Sequence, residues 1–366
     1  MDYSIISLTN AESERTISFI DNSSKKNNLI INIIASNKHE HPILNIMIYL
    51  FFSPLIILSI FLSIIFRRFE KKVIVTFPGV LELLVLKIFS FFINIDIYFD
   101  FFTGFHLTLV SDRNKFSRNS SIAKLLLYID RLIFKLSDFQ IVETDEMKEY
   151  IRENISVNTK NVYTLQTPRK QMVLKEKQSK KLRIAFWGNF AEMHGLDYIL
   201  DAAKQIKNKQ IIFDLIGDGK LFDHIEERVK VENINNVTLH GYLPYIDSSD
   251  KNVTSLISSS RICLGTFSNT VKNNLVIPHK VIEALSFSKP VITAATRVVN
   301  NNLKNIVQTV EPENGDDLAN KIMEVIKNDV KLQKMSTKGY HYYTQNFSEI
   351  SFTKKLKFII DNGEYV

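Results

Sequence analysis

The sequence predicts an α/β protein built as two doubly wound parallel-sheet domains, on three observations. Short apolar runs alternate with amphipathic stretches from residue 3 onward, the pattern of strands joined by helices. That alternation stops at a polar, lysine-rich stretch, residues 168–181, and restarts at residue 183. At 366 residues the chain is also long for a single core. The plan that follows is a first domain over 1–168, a linker over 169–181, a second domain over 182–346 and a closing segment over 347–366.

In the first half, residues 3–8, 29–35, 73–77, 95–99, 139–143 and 162–165 read as strands, with helical spacing over 122–136 and 145–154. In the second half the strands are 183–187, 211–216, 236–239, 262–264, 290–293 and 306–309, and the last helix covers about 349–360. One stretch does not fit this rhythm. Residues 43–66 pass without a charge and are followed by Arg67, Arg68, Lys71 and Lys72. By length alone this is a transmembrane helix. It lies, however, between strands 29–35 and 73–77, which should share one sheet, and a single crossing would separate them. Pro54 favours a break near the middle, leaving halves of roughly 16 Å each. A re-entrant or interfacial helical pair is therefore expected. Over 122–136, Leu125, Leu126, Ile129, Leu132, Ile133 and Leu136 form an apolar face, with Lys124, Tyr128, Arg131 and Lys135 on another. A basic face beside a membrane-dipping segment suits anionic headgroups or a lipid pyrophosphate.

Composition narrows the function classes. Hydrophobic residues make up 45% of the chain, with 26 Phe, enough for large cores. Net charge +7 suits an anionic surface or phosphorylated ligands, and by itself is no nucleic-acid footprint. Basic and aromatic residues are not interleaved as a single-strand binder requires. One cysteine, Cys263, excludes an internal disulfide framework and fits a reducing cytoplasm. The opening residues 1–8 carry an acid and no basic stretch, so no secretory signal is expected. No Asp-x-Asp follows a strand where a metal-dependent transferase needs it, and no Cys/His cluster has ligand spacing. No metal and no cofactor are expected.

Three ordered segments carry the chemistry. Gly188, Asn189 and His194–Gly195 follow one strand, and Gly217 and Gly219 follow the next. Pro278, Lys280 and Glu283 open a helix after a third. Carboxyl-end loops of an open parallel sheet are where ligands bind. Pro278 suits a helix start, and a helix start offers N–H groups and a positive dipole end to an anion. Glu283 lies where a carboxylate accepts from a pair of sugar hydroxyls. Diphosphate on the helix start and ribose on Glu283 make a complete nucleotide grip.

These residues resemble the donor-binding half of family-4-type retaining glycosyltransferases of the GT-B fold. That pattern has G-R-x-x-x-x-K-G after one strand, G-x-G after the next, then a Glu helix ending in G-K-P-V-I, here Ser288-Lys289-Pro290-Val291-Ile292. The likeness runs from about 182 to 347. It implies two domains facing a central cleft and a C-terminal helix that crosses back to the first. A nucleotide-diphosphate sugar is then the donor, bound through Gly188, Asn189, His194, Gly195, Gly217, Gly219, Pro278, Lys280 and Glu283. Gly241–Pro244, with Tyr242, falls at the base-recognition loop. In the first domain Asp100 and His106, with Asp112 and Arg113 nearby, are placed to orient sugar and acceptor. A lipid-linked saccharide is the implied acceptor, in bacterial surface-polysaccharide assembly (O-antigen or capsule) at the cytoplasmic face of the inner membrane. The chain departs from the pattern where Asn189 and His194 replace Arg and Lys, and where Leu275 replaces the first Glu. In a subgroup reading I-P-x-K-x-x-E, Lys280 supplies the missing phosphate charge. A catalytically degenerate scaffold or partner subunit, and a sugar-nucleotide epimerase of the same architecture, are the alternatives.

Overall fold

The structure, a computed structural model, describes residues 1–7, 13–24, 28–30, 42–66, 69–112, 115–155, 157–171, 181–208, 210–246 and 252–362. Residues 31–35 of the second predicted strand, the basic residues Arg67, Arg68 and Arg113, and 172–180 of the predicted linker lie outside that set. The chain divides into two compact units, Met1–Pro168 with Glu349–Val366, and Arg169–Ser348. Each is a six-stranded parallel sheet flanked by helices.

In chain order the first unit contains β1 (Ser4–Ser7), α1 (Glu14–Asn22), β2 (Leu29–Ile30), α2 (Pro42–Ile65), β3 (Lys72–Thr76), α3 (Val80–Ser90) and β4 (Asp96–Asp100). It continues with α4 (Ser121–Leu136), β5 (Phe139–Val142), α5 (Asp145–Tyr150) and β6 (Val162–Thr164). The sheet order is β2-β1-β3-β4-β5-β6. Its direction of growth reverses after β2, because β1 pairs with β2 on one edge and with β3 on the other. Right-handed crossovers then put α1 on one face and α2, α3 and α4 on the opposite one. Side-chain oxygens start the helices: Ser13 and Ser120 accept the N–H of Thr16 and Ala123, replacing bonds that a first turn lacks.

Residues 43–66 correct the expected helical pair. α2 runs unbroken through Pro54. A proline removes one donor and crowds the preceding turn, but the ladder on both sides and the docking of buried Ile56 and Ile60 along α3 outweigh that loss. Phe61 meets Phe89 of α3 at 5.5 Å between rings. Among the described side chains, which in α2 begin at Phe51, no helix is long and apolar enough to cross a membrane. α4 also differs from its predicted faces: Leu126 and Ile133 are buried, while Leu125 is exposed beside Tyr128.

The second unit contains β7 (Leu182–Trp187), α6 (Leu196–Gln205), β8 (Ile211–Ile216), α7 (Phe222–Val231), β9 (Val237–Leu239), α8 (Val253–Ser259) and β10 (Ile262–Leu264). There follow α9 (Val271–Leu275), α10 (His279–Ser286), β11 (Val291–Ala294), α11 (Arg297–Asn302), β12 (Gln308–Val310), α12 (Gly315–Val325) and α13 (Asp329–Asn346). The closing helix, α14 (Glu349–Asn362), returns to the first unit, where Phe352 meets Phe19 of α1 edge to face. The second sheet has the order β12-β11-β10-β7-β8-β9. Alternate residues of its central strands feed two cores: Ile184, Phe186 and Leu264 face one, Ala185, Trp187 and Cys263 the other. Growth reverses between β7 and β10, so the loops leaving β7, β8 and β10 meet at the switch point of an open parallel sheet, the place where such sheets bind ligands.

Candidate functional site

Two of those loops are zipped together by main-chain bonds. The Gly188 N–H reaches the Ile216 carbonyl at 3.0 Å and the Phe190 N–H reaches the Asp218 carbonyl at 2.8 Å. The approach is close enough that a side chain at 217 would stand 1.9 Å from the Gly188 carbonyl oxygen, and Gly217 has φ +140°. Only glycine meets both conditions. Gly188, at φ +134°, lies beside the Lys280 side chain: a Cβ there would stand 3.2 Å from Nζ. The Asn189 side-chain oxygen lies against Gly219, and Gly195 joins the turn Glu192–His194 to α6 while packing on Phe267 and Ser268.

Pro278 caps α10, so its φ of −60° starts the helix and Lys280 falls in the first turn. Lys280 is buried, lies 3.7 Å over the Phe186 ring, and its Nζ has no hydrogen-bond partner among the described residues. Burial pushes its pKa well below the ordinary lysine value, with Glu283 pulling the other way. A buried ammonium held only by a ring face is costly. Gly188, which has no Cβ, lets the loop backbone pass beside that Nζ. His194 sits in the same corner, its Cε1 3.8 Å from where a Cβ at position 188 would stand. Its Nδ1 pairs with the Asn189 carbonyl, and burial followed by the Lys280 charge holds its pKa at about 2. Both burial and the neighbouring Lys280 disfavour an imidazolium at this position.

Glu283 projects from the next turn of α10. Its Oε2 accepts the Trp187 indole N–H at 2.7 Å, and its Oε1 accepts the Tyr245 hydroxyl. A carboxylate has about four acceptor positions, so two remain for a ligand diol. Arg169 adds a further polar group, its guanidinium donating to His279 Nδ1 on the same helix. Trp187, Tyr245 and Arg169 are absent from the sequence-level site. Trp187 ends β7 directly before Gly188, and that adjacency was the available signal. Tyr245 and Arg169 carried none.

The remaining predicted residues fall elsewhere. Tyr242 is 79% exposed and its side chain turns to solvent, although the Gly241 carbonyl accepts the Gly217 N–H at 2.8 Å. Leu275 is buried in place of the acid the family pattern carries. In the first unit Asp100 is not an open polar group: Arg15 takes its carboxylate through Nε at 2.8 Å and Nη2 at 2.7 Å, both side chains buried. Arg15 also donates to the Leu165 carbonyl at 2.6 Å, so the pair ties α1 and β4 to the chain after β6. His106 lies on a turn whose Phe105 and His106 N–H groups donate to buried Asp130 of α4 at 2.8 and 3.0 Å. Burial lifts Asp130 to about 7, and burial with Arg118 lowers His106. Among the described residues no group of His, Cys, Asp and Glu could hold a metal ion.

Known proteins resemble this chain in sequence and in fold. Residues 169–342, within the second unit, match the model of the family "Glycosyl transferases group 1". An uncharacterized glycosyltransferase of Methanocaldococcus jannaschii is 32% identical over 176 residues, 44% of this chain and 43% of its own length. HepE of Anabaena, solved with UDP and glucose, shares the fold across 98% of both chains at a TM-score of 0.70 and 12% identity. A sucrose-phosphate synthase of Thermosynechococcus elongatus does so over 98% of this chain and 97% of its own, at a TM-score of 0.69 and 13% identity. TarM matches over 80% of this chain and 55% of its own, at a TM-score of 0.62 and 17% identity. The chain thus spans about half the length of the archaeal relative and of TarM. The fold is GT-B.

Proposed function

We propose that the chain is a glycosyltransferase that moves a sugar from a nucleotide diphosphate to a lipid-linked saccharide in surface-polysaccharide assembly, at the cytoplasmic face of a membrane. The observation that carries this reading is Lys280: a buried side-chain nitrogen without a hydrogen-bond acceptor among the described residues, in the first turn of α10 and beside Gly188. A diphosphate there meets Lys280 and the helix N-terminus together, while Glu283 accepts from the ribose hydroxyls. The UDP-bound relative of the same fold supports a nucleotide sugar as donor.

The transfer itself breaks the bond from the sugar's anomeric carbon to the diphosphate oxygen and forms one to an acceptor hydroxyl oxygen. Lys280 and the α10 N-terminus stabilise the charge that develops on the leaving diphosphate, the role of a preorganised anion site. In the retaining course proposed here, the leaving oxygen takes the acceptor's proton on the face it vacates. The grip uses no metal or cofactor. His106, whose turn is held by Asp130, is the first-unit residue proposed to orient the acceptor. Asp100 is assigned to holding that unit together.

A thermal-shift panel of nucleotide sugars tests the reading. A ligand that binds only the folded state at about a hundred times its Kd adds about 2.7 kcal/mol of stability. The cognate donor and its nucleoside diphosphate should raise Tm, and the free sugar should not. A Tm unmoved by every nucleotide in the panel would contradict it.

A further inference from the structure

The outer surface of the first unit is apolar where a water-facing helix would be polar. α2 carries no charged residue along its length, and among its described side chains, from Phe51 onward, the buried ones form a narrow stripe, Ile56, Ile60 and Ser63, with α3 as a helical neighbour. Its opposite stripe, Phe51, Leu55, Leu58, Leu62 and Ile65, repeats at helical spacing and is exposed, Phe51 to 79%. A surface helix that is hydrophobic all round is stable only where its outer face also leaves water. The exposed apolar surface continues onto α3 through Leu84 and Ile88, and onto the turn after it, where Phe91 and Phe92 are 82% and 83% exposed. It ends on α4, which touches α3, at Ile122, Leu125 and Tyr128. Contiguous apolar surface of this kind marks an interaction site.

We propose that α2, α3, the Phe91–Phe92 turn and α4 form one plate that docks into a single leaflet of an anionic bilayer, with α2 lying in the interfacial plane. The inference rests on the membrane-facing acceptor proposed above and names the surface that meets the membrane. Charge selects the bilayer as the occupant. Among the described residues of the three helices the acidic side chains are Glu82 and Asp130, both buried, whereas Lys124 and Lys135 are exposed beside Leu125 and Tyr128. Cations at the rim of an apolar face attract anionic headgroups, and exposed phenylalanines enter the acyl boundary. Topology fixes the orientation: α2 is docked along α3 and lies between β2 and β3, which flank β1 in one sheet. It lies along the surface and does not pass through.

Flotation of the full chain with phosphatidylcholine vesicles, with and without phosphatidylglycerol, tests this. The wild type should float with the mixed vesicles and much less with phosphatidylcholine alone. Phe91→Ser with Phe92→Ser should lower vesicle affinity about tenfold or more, from the apolar burial lost at two exposed side chains. Lys124→Glu with Lys135→Glu should abolish the preference for the anionic lipid. Both double variants change exposed positions, so Tm and nucleotide binding should stay at the wild-type values. Equal flotation of wild type and variants, or no flotation of the wild type, would overturn the proposal. So would a dimer on sizing that the Phe91→Ser, Phe92→Ser variant dissolves, since the plate would then belong to a second copy. A chain that floats but binds no nucleotide would overturn the donor reading and leave the plate standing.

Discussion

Lys280 is the residue on which the donor site turns, and its protonation gives the site a measurable signature. Burial holds it below the ordinary lysine value, so the unfolded chain binds that proton more tightly than the folded one. Between the folded pKa and the unfolded value of about 10.4, stability of the free protein therefore rises with pH. A diphosphate beside Nζ favours the ammonium, so donor binding should draw a proton from the buffer over the same window. Calorimetry in buffers of different ionisation heat should show that uptake for the wild type and none for Lys280→Met. Equal uptake in both would place the proton elsewhere. His194, lowered by burial and Lys280, should add no inflection to donor affinity near the ordinary histidine value of about 6.5. Stability of the free protein should instead fall below that pH, where the unfolded imidazole takes a proton the folded ring does not. The sequence displays Lys280 and Glu283 plainly, since both stand three residues apart after a helix-starting proline. It hides Trp187 and Tyr245, which reach Glu283 from 96 and 38 residues away. Long-range partners of this kind leave no local pattern.

At the scale of elements, the positions of the strands and the helix start at Pro278 followed from local pattern, while the course of α2 did not. Pro54 signals a break when read alone, and only the docking of Ile56 and Ile60 on α3 explains why the helix continues. α4 shows the same limit. Its period was legible, but the face that turns inward depends on Asp130 being drawn to the N–H groups of Phe105 and His106. The buried Arg15–Asp100 pair is an element-level staple of the first unit, and its loss has a definite consequence. Asp100→Ala strands a buried guanidinium and should cost about 3–5 kcal/mol of stability, seen as a lowered denaturant midpoint. A variant as stable as wild type would show that Arg15 finds another partner without cost.

Over the whole molecule, two doubly wound parallel sheets divide the work. The second presents loops after β7, β8 and β10 at its switch point; the first presents an apolar plate on one face and α14 on the other. The two-sheet plan was legible because strand–helix alternation repeats on either side of a polar stretch, and the plate was not, because exposure depends on which stripe of each helix finds a neighbour. The central claim is that Glu283, held by Trp187, grips a nucleotide beside Lys280. Trp187 is the chain's single tryptophan, and its indole N–H rests on the Glu283 carboxylate at 2.7 Å, so its fluorescence reports on that group directly. Titrating nucleoside diphosphates into the full chain should change Trp187 emission saturably, and Glu283→Ala should weaken the affinity by about 1.5–3 kcal/mol, the loss of hydrogen bonds to a charged group. A saturable change of the same affinity in Glu283→Ala, or no change in the wild type, would contradict the account.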